Sequence, residues 1–194
     1  MKQKLTHIGI DFGGKLNGTT VICYLKNRRL AYLQSTKKQD ASEMIKEFAA
    51  NNHPQMVFID APLSLPGIYR GLKGSKDYMY RAADRELDAM SPMFLGGFTA
   101  RGIELKDYLE SLDIKVYETY PADIKRHCGI AKDTPLNDAH SFFSQYIKLP
   151  PADAPANPHQ LDALACWTGG AAYLKNKHRF AGNPKEGLIL TLSS

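Results

Sequence analysis

The chain has 194 residues with 43% hydrophobic and 10% aromatic content, and its 25 Lys and Arg against 20 Asp and Glu give a formal charge of +5. This composition suits one compact domain with a real core, excludes a mostly disordered chain, and contains no apolar run long enough to span a bilayer. The charge is compatible with a polyanionic partner but does not require one. Cys23, Cys128 and Cys166 are odd in number and lack zinc-ribbon spacing, which fits reduced thiols. The opening MKQKLTHIGID runs into strand without a signal-like apolar region, so a cytoplasmic protein with no membrane partner is the expectation.

In chain order, HIGIDFGGKLNGTTVICYL (residues 7–25) reads as a buried strand, a glycine turn and a second strand. Ile8, Ile10 and Phe12 fall on one face of the first, and Val21, Cys23 and Leu25 alternate on the second. Asp11 is an acid inside an apolar strand, which demands a partner, and a cation is the simplest one. Residues 29–36 predict a third strand, and residues 40–52 an amphipathic helix capped by Asp40 or Ser42. QMVFIDAPL (55–63) suits a strand buried on both faces, closing at Asp60. Three strands, a helix and a fourth strand place the fourth beside the first, making Asp11 and Asp60 neighbours.

The stretch from about 64 to 113 has a loop rich in Gly, Lys, Arg and Tyr, then helical spacing over 79–90 and 99–112, separated by SPMFLGG as a turn. It reads as a helical insertion in a single domain covering residues 1–194. IKVYET (114–119) predicts a fifth strand carrying Glu118. Residues 122–148 are helical in two pieces, and LPPADAPANP is a stiff connector ending in Asn157 and Pro158, a cap and first-turn pair for a last helix at about 159–175. A terminal strand at 188–192 is placed at a sheet edge.

Asp11, Asp60 and Asp162 therefore stand where strands end or helices begin. Carboxylate oxygens suit hard divalent cations such as Mg2+ or Mn2+, and two such ions can promote phosphodiester cleavage. Asp162 shares a face of small residues (Ala165, Cys166, Gly169, Ala172) that lets the last helix lie close to the sheet. His159, one turn earlier, and Glu118 are the further candidates, as second-ion ligand or proton carrier. Arg70, Lys73, Arg81 and Arg85, interleaved with Tyr69, Tyr78 and Tyr80, offer phosphate contacts and stacking surfaces for a DNA or RNA partner. Trp167 is assigned to the core.

The combination GIDFGG, VFIDAPLS, RAADR, VYETYP and HQLDALAC resembles the predicted ribonuclease H-like nucleases grouped as domain of unknown function 429, over most of the chain. More distantly, the Asp11 strand and the DALA helix resemble RuvC-type resolvases. The resemblance implies an α/β fold with a mixed five-stranded sheet, strands 1–3 antiparallel and the others parallel, flanked by helices. It further implies Asp11, Asp60 and Asp162 as ligands of two Mg2+ or Mn2+ ions, His159 at a further ligand position, and metal-dependent nuclease activity. The long helical middle, and Asp rather than Glu closing the fourth strand, depart from relatives. Two rival readings are an actin-like phosphotransferase using the glycine turn, and a non-catalytic nucleic-acid-binding or scaffold module.

Overall fold

The computed structural model describes residues 5–193. Its strands are β1 (His7–Asp11), β2 (Val21–Lys26), β3 (Arg29–Gln34), β4 (Met56–Asp60), β5 (Lys115–Thr119), β6 (His178–Asn183) and β7 (Gly187–Leu192). They form one sheet in the order β3-β2-β1-β4-β5-β7-β6. The first three strands are antiparallel, and β4, β5 and β7 then continue the sheet in parallel with β1. The first five strands thus have the expected order and directions, three antiparallel and the next two parallel to β1.

Seven strands replace the expected five. The terminal strand β7 is not at an edge: it pairs in parallel with β5 at Glu118 and Thr119, while β6 forms the outer strand by a hairpin with β7. The sequence of β6, HRFAGN, is too polar for alternation to reveal it. Hairpin pairing to an adjacent apolar strand supplies the order that its own pattern lacks.

The helices are α1 (Ala41–Asn52), α2 (Ala82–Leu87), α3 (Pro92–Leu95), α4 (Gly97–Glu110), α5 (Pro121–His127), α6 (Ala139–Tyr146) and α7 (Pro158–Leu174). Asp40 caps α1 by accepting from the amides of Ser42 and Glu43. The expected 79–90 helix is only six residues long. The carboxylate of Asp77 takes the amides of Met79 and Tyr80 into a turn, and Asp88 ends the helix with φ 53°. SPMFLGG, expected as a turn, contains α3, with Ser91 as its cap.

Helices cover both faces of the sheet. Ile8, Ile10, Ile22, Val57 and Ile59 pack against Ile45 of α1 and Leu105 and Leu109 of α4. Val21, Cys23 and Leu192 pack on the other side with Ile124, Phe143, Leu164 and Trp167. The three thiols are free and buried. Among the described residues, no helix is long and apolar enough to cross a membrane.

Candidate metal centre

Strand alternation fixes the site. Ile8, Ile10 and Phe12 face α1 and α4, which turns Gly9 and Asp11 to the opposite face, beneath α7. Gly9 lets the helix come down. A Cβ at this position would lie 2.2 Å from the amide nitrogen of Trp167 and 2.6 Å from the carbonyl of Ala163, both backbone atoms. Gly170 repeats the close approach over Phe58 and His7. The sheet-facing line of α7 therefore runs through Ala163, Cys166, Trp167 and Gly170, slightly rotated from the small-residue face expected, and Asp162 leans toward α5 instead.

Four of the expected site residues gather here. Asp11 and Asp60 are register partners on adjacent parallel strands, at the C-terminal ends of both. His159 holds Asp11 through a 2.9 Å hydrogen bond between Nδ1 and Oδ2. Asp162, one turn further along α7, is bound at 2.6 Å by Nζ of Lys125 on α5. The electrostatics are those of crowded acids. Burial, then the charge of Asp162, pushes the Asp11 carboxyl up to about 8, with Lys125 opposing. Burial and the charges of Asp11, Asp162 and Glu118 push Asp60 well up, again opposed by Lys125.

Lys125 is the residue that sequence reasoning did not single out. Among 25 cations nothing in its local pattern marks it; only the packing of α5 against α7 brings it to the acids.

Glu118 does not join this group. It is the register partner of Ile59 and lies on the α1 and α4 face, opposite to Asp11 and Asp60. Both of its oxygens are held by Arg81, at 2.6 and 2.7 Å, and one also accepts the Leu63 amide at 2.9 Å. Arg81 is correspondingly removed from any phosphate. It is 1% exposed, and its fork is also spent on Asp84 and on Ser64 Oγ. A cavity of about 70 Å³ lies between Asp60 and this Arg81, Asp84 and Glu118 cluster, with Met90 and Leu95 on its wall.

The other expected substrate contacts remain on the surface. Arg85 pairs with Asp77 at 2.9 Å and stacks its guanidinium 3.6 Å from the Tyr80 ring. Arg70 donates to the carbonyl of Glu186, and Lys73 is exposed. Tyr69, Tyr78, Met90 and Phe94 expose large apolar surfaces in the same stretch. In the glycine turn, the Gly13 and Gly14 amides are taken by the hydroxyls of Thr20 and Thr19, so they are not presented to a phosphate.

The donor chemistry fits a hard divalent cation. Two adjacent carboxyls at strand ends, raised in pKa by burial and by neighbouring carboxylates, are what such an ion neutralises, and Mg2+ needs only one or two carboxylates beside its waters. As the side chains stand, no group of three or more His, Cys, Asp or Glu among the described residues is arranged to hold one ion. The Lys125 contact draws Asp162 aside.

No family model matches this chain, and no curated protein does. Solved structures similar to it include two of RuvC. Thermus thermophilus RuvC is 14% identical, with 88% of this chain and 96% of that chain covered and a TM-score of 0.46. T. thermophilus RuvC in complex with a Holliday junction substrate is 12% identical, covering 96% and 99%, with a TM-score of 0.47. The reading of the site rests on this chain's own residues.

Proposed function

We propose that this chain is a divalent-metal-dependent nuclease of the ribonuclease H-like kind, hydrolysing phosphodiester bonds of a nucleic acid in the cytoplasm. The observation that carries this is the pairing of Asp11 with Asp60: two neighbouring carboxyls on one face, with the charge of Lys125 opposing their crowding and His159 hydrogen-bonded to Asp11. Asp11 and Asp60, with Asp162 in reach, would hold Mg2+ or Mn2+, and the bound ion supplies an activated water and charge stabilisation at the phosphoryl oxygens.

The chain's own groups supply the remainder. Asp11 fixes the His159 ring through Nδ1 and leaves Nε2 as the proton carrier, at a half-exposed position where solvent can exchange with it. The Asn157 cap and Pro158 set the first turn of α7, so that His159 and Asp162 project from one helix end. Arg70, Lys73 and Arg85, with the exposed tyrosines, serve as contacts to the substrate backbone and bases, carried by a segment (64–113) that acts as an insertion in a single domain.

Titration with Mn2+ tests the reading. The wild type takes up the ion and cleaves nucleic acid in its presence, whereas Asp11→Asn does neither. A wild type that ignores Mn2+ and binds ATP overturns it in favour of a phosphotransferase.

A further inference from the structure

We propose that Lys125 takes the place of a second metal ion, so that the site holds one divalent cation per chain; this rests on the nuclease reading above. Once a cation displaces the protons of Asp11 and Asp60, the three acids Asp11, Asp60 and Asp162 present three negative charges; the ammonium of Lys125, bound to Asp162 at 2.6 Å, offsets one, and a single divalent ion offsets the other two. A second ion would leave the site with a surplus of positive charge beside an already fixed ammonium, in a partly buried setting where like charges repel more strongly than in water.

The supply of oxygens sets the same limit. Asp162 gives one of its two oxygens to Lys125, and Asp11 gives one to His159. What is left suits one ion that keeps several waters. Glu118, the remaining carboxylate that a second ion would draw on, faces away and is consumed by Arg81 and the Leu63 amide. Lys125 is not a stray surface lysine in this arrangement: its side chain is 25% exposed, and it comes from α5 to reach an acid on α7. Its charge also bears on Asp11 and Asp60.

The experiment counts ions on metal-stripped protein without nucleic acid, by loss of the free Mn2+ paramagnetic resonance signal and by calorimetry. The wild type is expected to bind one Mn2+ per chain. Lys125→Met, which returns Asp162 to the site and removes a repelling charge, is expected to bind its first ion at least about tenfold more tightly. Lys125→Arg, which keeps the charge, stays near the wild-type affinity. Two ions on the wild type, or a Lys125→Met affinity that is unchanged or weaker, overturns the role of Lys125 while leaving the metal site in place. A wild type that binds no Mn2+ overturns this inference and the proposed function together. The wild-type count stands even if a variant fails to fold, and far-ultraviolet circular dichroism checks each variant.

Discussion

Asp11 and His159 lie 148 positions apart in sequence, yet the ring of one holds the carboxylate of the other at 2.9 Å. The contact exists because α7 lies directly on β1 over Gly9, with no side chain between them. Gly9→Ala is the most economical way to break it. The new methyl would meet backbone nitrogen and carbonyl atoms of α7, which cannot swing aside as a side chain would, so the helix must lift. Urea unfolding should show a loss of about 3 kcal/mol or more, as for an overpacked core, and the remaining folded protein should lose its response to Mn2+. A Gly9→Ala protein with wild-type stability would mean that α7 is not seated as described.

Crowding of the acids has a cost that appears when no ion is bound. Folded Asp11 keeps its proton up to about pH 8, whereas an unfolded aspartate releases it near 3.8. The folded state therefore binds more protons across that interval, and stability declines as pH rises from about 4 to about 8. Asp11→Asn removes the Asp11 share of this decline and relieves Asp60 of one neighbouring charge. In chelator at pH 8 to 9 the variant should be more stable than the wild type by a few kcal/mol, and Mn2+ should close the gap by stabilising the wild type alone. Thermal melts of both proteins at pH 6 and pH 9 check the sign.

His7 works in the opposite direction. It is buried against Trp167 and Phe58 with Nε2 on the Trp167 carbonyl, and burial lowers its pKa from 6.5 to about 4. The unfolded chain binds the proton first as pH falls, so stability is full above about 6.5 and is lost progressively toward 4, by up to about 3 kcal/mol. His7→Gln keeps a donor for the carbonyl but does not titrate. Its denaturant midpoint should change less between pH 7 and pH 4.5 than that of the wild type; equal slopes would exclude His7 as the source.

Much of this architecture was legible because it follows from period-two alternation and strand order. Ile8, Ile10 and Phe12 declare one face of β1 and so assign Asp11 to the other, and the strand order sets Asp60 beside it. The same alternation, applied to β5, turns Glu118 away with Val116, although its position near a strand end suggested otherwise. Arg81 was misjudged for a different reason. In sequence it is one of a run of exposed-looking cations whose pairing with Asp84 is a local i,i+3 contact, and only the tertiary pairing with Glu118 shows it to be internal. Lys125 lay beyond sequence reasoning altogether, since its meaning comes from the packing of two helices.

Arg81 should accordingly behave as a structural residue. Arg81→Met strands Asp84 and Glu118 as buried carboxylates and should cost about 3–5 kcal/mol. Arg81→Lys should recover little of this, because a point charge cannot satisfy two carboxylates that the planar fork holds together. Were the Lys variant as stable as the wild type, the bidentate geometry would not be what matters.

The surface cations make the complementary prediction about the substrate. Arg85 is exposed, and its pairing with Asp77 and contact with Tyr80 are surface interactions that a phosphate can displace, while Lys73 is open to solvent, so each can meet a phosphate with little loss to the fold. Alanine at either position should leave thermal stability almost unchanged. Each should weaken nucleic-acid binding equally across sequences and reduce the slope of log affinity against log salt by about 1. Tyr78→Ala tests the other component: if its exposed ring stacks on an unpaired base, the loss should reach about 1–3 kcal/mol for single strands and fall away for duplex. Loss of affinity for duplex and single strand alike, or none for either, would remove stacking from the account and leave phosphate contact alone.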